Sequence, residues 1–219
     1  MGTRKIKGIH IGEPKLETLS GRSLITGMDK QTVQNIYLSQ RGFTGDGVGN
    51  LRHHGGSDRA VCFYPNEHYL QWEQEFDKVL KRPAFGENLT VSGMKESEVY
   101  FGDIYQIGTS IVEICQGRIP CATISDFNDV PTFLKRTMET GYTGYFARVI
   151  EEGTIEGESD IILKERVQEA YTIERGNRIL LHNEGNQADI EGMLMLDSLA
   201  DDWKKRVEKK QLALMEQEG

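Results

Sequence analysis

Residues 51–72 read LRHHGGSDRAVCFYPNEHYLQW, two histidines and two glycines followed by a charged turn, an apolar run and a proline. The run at residues 60–64 is rich in β-formers and too short for a helix, so it reads as a strand. Past Pro65 the period changes. From Glu67, the residues Tyr69, Trp72, Phe76 and Leu80 recur at i, i+3, i+7 and i+11, which draws one apolar stripe down a charged helix. The turn ahead of the strand has two readings. Adjacent histidines point in different directions on most backbones, which disfavours a chelating pair. Arg52, His53, His54 and Arg59 nevertheless crowd donors around Gly55 and Gly56, whose amides can approach a ligand closely for want of a Cβ. The segment is an anion cradle or a plain connection.

Working outward, the same texture of short apolar runs between glycine turns marks residues 5–11, 36–38, 89–91, 104–107, 110–115 and 144–150. It predicts many short strands and not a series of βαβ units. A second helix is expected from about residue 131 to 140, with Asp129 or Val130 near its cap, Pro131 in its first turn and Gly141 ending it. Past Glu165 strand-like runs give way to helix formers, which predicts three or four short helices. Asp197 or Ser198 would cap the last, and Leu199, Trp203 and Val207 would face inward from it. The expected organisation is therefore a β-rich domain over residues 1–163 and a helical one over 164–219.

Composition narrows the functional classes. The 219 residues, 37% hydrophobic, are enough for one large domain or one domain and a small module. Lys and Arg total 26 against 34 Asp and Glu, a formal net charge of -8 with no long basic run. Neither a nucleic-acid backbone nor an anionic membrane is the expected main partner. No stretch approaches the roughly 20 apolar residues that crossing a bilayer requires, and a soluble cytosolic protein is expected. Three cysteines with no CxxC pair argue against a disulfide framework and against a structural zinc site.

Cys62 and Cys115 sit inside strand runs and are expected in the core. Cys121 differs. In ICQGRIPCATIS, residues 114–125, Arg118 lies three positions before it, with Pro120 fixing the backbone between them. A guanidinium near a thiol favours thiolate, the form that acts as nucleophile or soft metal ligand. The alternative is a half-buried cysteine that packs as a small hydrophobe. In FGENLTVSG and FGDIYQIG, residues 85–93 and 101–108, Glu87 and Asp103 are expected to satisfy backbone amides of glycine turns.

Taken in order, HHGGSDRAVCFYPNEHYLQW, FGENLT, GDIYQIG and GRIPC resemble the MOSC domain family, in particular its YiiM-like branch of 6-N-hydroxylaminopurine resistance proteins. The helical tail is similar to the "3-alpha" domain of that branch. The resemblance implies a mainly β, α+β fold: a MOSC-type β-barrel, related to the pyruvate kinase barrel, with peripheral helices and a small C-terminal helical domain. It also implies a molybdenum cofactor, Mo-molybdopterin, with Cys121 as the protein ligand to the metal and Arg118 compensating charge beside it. His53, His54, Gly55, Gly56 and Arg59 would contact the pterin phosphate, and Asn88 would border the pocket. The usual Q-P-R before the cysteine is Gln116-Gly117-Arg118 here, a looser loop. The activity implied is reduction of small N-hydroxylated compounds, hydroxylaminopurines or amidoximes, by a molybdenum oxidoreductase. No nucleotide or iron–sulfur motif accompanies these residues, so electrons would come from an external reductase or electron-transfer protein. Two other roles stay open: a sulfur carrier holding a persulfide on Cys121, and an adaptor whose tail binds another protein.

Overall fold

Short runs of branched and aromatic residues become strands here because each can bury one face or both. The computed structural model describes residues 3–50 and 55–218. The described strands are β1 (Lys5–Ile11), β2 (Lys15–Leu19), β3 (Arg22–Thr26), β4 (Gln31–Val33), β5 (Asn35–Ser39), β6 (Gly42–Phe43), β7 (Val61–Pro65), β8 (Leu89–Ser92), β9 (Ile104–Ile107), β10 (Ser110–Gly117), β11 (Tyr145–Glu151), β12 (Gly153–Glu156) and β13 (Ile161–Glu165). The helices are α1 (Glu67–Phe76), α2 (Thr123–Asn128), α3 (Phe133–Thr140), α4 (Ile173–Leu181), α5 (Gln187–Leu194) and α6 (Asp201–Glu218). Eight strands form one sheet that curls into a half-barrel, in the order β13-β9-β10-β11-β7-β8-β1-β4. A three-stranded sheet, β12-β5-β6, and the β2-β3 hairpin complete the β structure among the described residues. The fold is α+β with the sheet dominant, as the sequence predicts.

Most neighbours pair antiparallel, but β7 and β8 run parallel, with Phe63 opposite Leu89. A parallel pair needs a crossover, and α1 supplies it. All five residues of β7 are buried, which requires cover on both faces. Val61 and Phe63 belong to the main core, Phe63 stacking on Tyr145 at 5.4 Å between ring centroids. Tyr64 faces a second cluster with Tyr69 and Trp72 of α1, Phe85, and Phe133 of α3. The main core does not stop where the sheet ends: Ile173, Ile179, Ile190, Met193, Trp203 and Val207 of the three tail helices belong to it.

Several local expectations shift. The helix from Glu67 ends at Phe76, where Asp77 turns left-handed at φ 47°; Leu80 is still buried, beyond the helix. Asp129 does not cap α3; it ends the preceding helix α2, which the sequence reading missed, and Thr132 precedes α3. The last helix starts at Asp201, not at residue 197 or 198. Ser198 instead lends its carbonyl oxygen to Arg148 at 3.1 Å. Trp203 and Val207 are buried as expected, and Gly141 ends α3.

The departure from proline at position 117 has a structural reason. Gly117 closes β10 exactly where the tail docks: a Cβ there would lie 2.7 Å from both Trp203 Cζ2 and Asn177 Oδ1. A ring carbon and a packed amide cannot both retreat. Gly117→Ala is therefore expected to cost about 1–3 kcal/mol by overpacking, read as a lower denaturation midpoint; an unchanged midpoint would contradict this packing.

Candidate cofactor site

Among the described residues, a cavity of about 730 Å³ opens beside the end of β10. Its walls include the end of β3 with Gly27, Met28 and Lys30, the loop at 46–50, Arg59 and Cys62 at the start of β7, the turn before β8, the segment Gln116 to Cys121, Phe146 of β11 and the first turns of α6. Its apolar lining residues include Ile25, Met28, Phe85, Phe146 and Trp203. The charged residues in the wall are Lys30, Arg59, Arg118 and Arg206 against Asp46 and Asp202. The cavity is thus a cationic spot on an acidic protein.

Both carboxylates are already engaged. Asp46 pairs with Lys30 and accepts from Asn88 Nδ2 at 2.7 Å and from the Gly12 amide at 2.9 Å. Asp202 accepts from Arg59 at 3.1 Å and from Arg206 at 2.9 Å. Arg118 is different. Its guanidinium reaches the Cys62 sulfur at 3.9 Å and lies 6.0 Å from the centre of the Phe85 ring, and among the described residues it makes no ion pair with a carboxylate. A guanidinium whose described neighbours are a thiol and a ring, in a partly enclosed space, can receive an anion.

Cys121 follows from the local chain path. After β10 the backbone stays in register through the Arg118 amide, bonded to the Gly144 carbonyl at 3.0 Å. Cys121 then gives its carbonyl to the Ile124 amide at 3.2 Å as α2 begins. Of the three cysteines it is the half-buried one; Cys62 and Cys115 are buried. Burial pushes the Cys115 thiol up to about 12. It likewise pushes the Cys62 thiol up to about 11, with Arg118 pulling the other way. Both therefore stay protonated at neutral pH; Cys62 and Cys121 line the cavity, and of the two Cys121 is the less buried.

Asn88 lines the cavity, but its amide is spent inside the protein. Its oxygen accepts from the Cys62 amide at 3.0 Å, while its nitrogen donates to Asp46 and, at 3.3 Å, to the His10 carbonyl. It holds β1, β7 and the Asp46 loop together. Behind it, His10 is buried. Thr90 gives its hydroxyl proton to Glu87 at 2.8 Å and so accepts from His10 Nε2–H at 3.0 Å; Thr32 meets Nδ1 at 3.0 Å. The neutral ring is satisfied at both nitrogens. Burial lowers the pKa of His10 below the ordinary 6.5, Lys30 adding to this and Glu87 opposing it. The unfolded chain thus binds this proton more readily, so stability is fully present above about pH 6.5 and falls as pH drops below it. Urea unfolding of wild type and His10→Gln is expected to show a steeper acid loss in wild type between pH 7 and pH 5; equal slopes would count against a neutral buried His10.

Arg59, Asn88, Arg118 and Cys121 are thus brought to one cavity. Gly56 does adopt a glycine conformation, φ 113°, and Arg59 Nη1 closes on the Gly55 carbonyl at 3.3 Å. Of the described residues, however, neither glycine lines the cavity, and His53 and His54 lie outside the described residues. The turn after them is tied to the sheet by Arg148, which donates to Asp58 Oδ1 at 2.9 Å, and by Gln116, which donates to the Asp58 carbonyl at 2.9 Å. Glu87 and Asp103 satisfy the amides of Phe85 and Tyr100 at 3.2 and 3.0 Å, as expected. Sequence reasoning missed Lys30, Asp46 and the tail residues Asp202, Trp203 and Arg206. Asp46 had a readable signal, a carboxylate among glycines in FTGDGVGN. The tail residues had none.

The model of the MOSC domain matches residues 50–161. The protein YiiM of Escherichia coli (strain K12) is 32% identical over 181 residues, which are 81% of this chain and 80% of YiiM. A protein named "Reductase" from Gibberella moniliformis is 30% identical over 176 residues, 78% of this chain but 31% of that longer protein. The crystal structure of YiiM from Geobacillus stearothermophilus superposes with a TM-score of 0.81 at 31% identity, covering 95% of this chain and 99% of that one. The half-barrel sheet, the cavity at the end of β10 and these likenesses agree, and the chain belongs to the MOSC domain family, with YiiM proteins as its relatives in sequence and structure.

Proposed function

We propose that the protein holds a molybdenum cofactor in this cavity through Cys121 and reduces small N-hydroxylated compounds to amines. MOSC domains are linked to binding of the molybdenum cofactor, and the family includes relatives named as reductases. The observation that carries the reading is one cavity lined by both the half-buried Cys121 and Arg118, whose guanidinium has no carboxylate partner among the described residues.

The residues present fit the group on three counts. The cavity volume lies within the ~300–1,000 Å³ of ordinary cofactor sites. Its charged wall favours an anion such as a phosphate. A metal carried mainly by its own organic ligand needs one soft protein donor, and the half-buried Cys121 lines this cavity. Cys121 would be that donor, and Arg118, in the wall of the same cavity, would compensate its charge or that of the cofactor. Arg59 and Lys30 add positive charge, offset in part by Asp202 and Asp46, while Phe146 gives a planar compound an apolar surface to lie against.

When bound, the cofactor supplies two-electron removal of oxygen. The net change is R–NHOH + 2e⁻ + 2H⁺ → R–NH₂ + H₂O: the N–O bond breaks, the nitrogen is reduced, and the oxygen leaves as water. The electrons come from an external donor protein. The test is to load the protein in a molybdenum-competent host, reduce it with a viologen, and follow amine formation from benzamidoxime and 6-N-hydroxylaminopurine. Amine from either supports the proposal. No amine from loaded protein, together with one extra sulfur on Cys121 by mass spectrometry, would replace it with the sulfur-carrier reading.

A further inference from the structure

The tail helix α6 brings two side chains into the cavity that no sequence motif singles out, Asp202 and Arg206. Both Arg206 Nε and Arg59 Nη2 donate to one atom, Asp202 Oδ2, at 2.9 and 3.1 Å. Arg59 comes from the turn before β7 and Arg206 from the tail, so two guanidiniums from separate parts of the chain converge on a single carboxylate oxygen at the cavity wall. One carboxylate cannot neutralise both. We infer that Arg59 and Arg206 form an anion subsite spanning the junction of sheet and tail, that it takes a phosphate monoester, and that Asp202 is its internal stand-in.

The exchange is cheap in one direction and favoured in the other. The Asp202 and Arg206 side chains are 42% and 49% exposed, and exposed ion pairs of this kind hold weakly. A phosphate monoester offers up to two charges and three oxygens, enough to engage both forks at once, whereas the carboxylate presents one oxygen to both. Arg118 lies on the β10 side of the same cavity and is not part of this cluster. The inference deepens the cofactor reading, since the phosphate can belong to the cofactor or to a phosphorylated substrate, but it is tested by binding and not by turnover.

Inorganic phosphate is titrated, at constant ionic strength, into protein made in a host that lacks the cofactor, with tryptophan fluorescence and thermal melting as readouts. Trp203 adjoins Asp202 and reports the change. Wild type is expected to respond saturably, Arg206→Gln to bind about tenfold more weakly, and Asp202→Asn to bind severalfold more tightly because the internal competitor is gone. An unchanged response in Arg206→Gln, or weaker binding in Asp202→Asn, overturns the subsite. Both side chains are surface-accessible, and the opposite signs separate a binding effect from a general loss of fold. Repeating the titration on cofactor-loaded protein identifies the source: a lost response assigns the subsite to the cofactor phosphate, and a retained response that is stronger for adenosine 5′-monophosphate assigns it to substrate, both in support. If Arg118→Gln alone abolishes the response, the subsite is wrong while the anion-binding cavity stands.

Discussion

Replacing Cys121 by serine is expected to lower the rate of N-hydroxylated substrate reduction by at least ~100-fold, since loss of even an outer-shell partner typically costs 10–100-fold. The hydroxyl is a harder donor than sulfur and stays protonated at neutral pH, so Arg118 cannot convert it into a comparable ligand. Stability is expected to change little, because Cys121 is half-buried on the segment between β10 and α2 and its backbone bonds survive. Parallel measurement of amine formation and melting temperature separates the two effects. Full activity in Cys121→Ser would remove the sulfur from the chemistry.

The largest stability effect is expected at Trp203. Its indole is completely buried, packs on Phe101 at 5.3 Å between ring centroids, and fills the space left by the glycines at 117 and 176. Trp203→Ala is expected to cost about 3–5 kcal/mol, a fall in melting temperature on the order of 10 °C for a chain of this size. The residue also borders the cavity, so the variant is expected to retain less cofactor at temperatures where it stays folded. A melting temperature within a degree or two of wild type would mean that the tail does not share the core of the sheet.

That second result bears on what the sequence made legible. The strands at β1, β7, β8, β9, β10 and β11 were readable because they bury branched and aromatic residues on at least one face, and the order of four motifs carried the family. The β2–β3 hairpin was not: Leu16 and Ile25 are exposed, at 71% and 59%, so no apolar alternation marks it. Helix α2 is six residues long and begins straight after the cysteine motif, too short to show a period. At the site, Arg118 and Cys121 were visible because both sit in one motif. Asp202 and Arg206 were not, since they look like any i, i+4 ion pair on an exposed helix until the fold sets Arg59 against them. All the site residues named from sequence fall before residue 163, yet the wall of the cavity needs the tail. Local pattern reveals elements; the meeting of distant surfaces depends on packing that no single segment encodes.

The most direct measurement is the molybdenum and pterin content of wild type and Cys121→Ala, both purified from a host that makes the cofactor. Wild type is expected to carry molybdenum and pterin in equal amounts, approaching one per chain, and Cys121→Ala to carry little of either. Wild-type protein without molybdenum, or equal loading of the two proteins, would contradict the assignment of Cys121 as the sulfur that holds the metal.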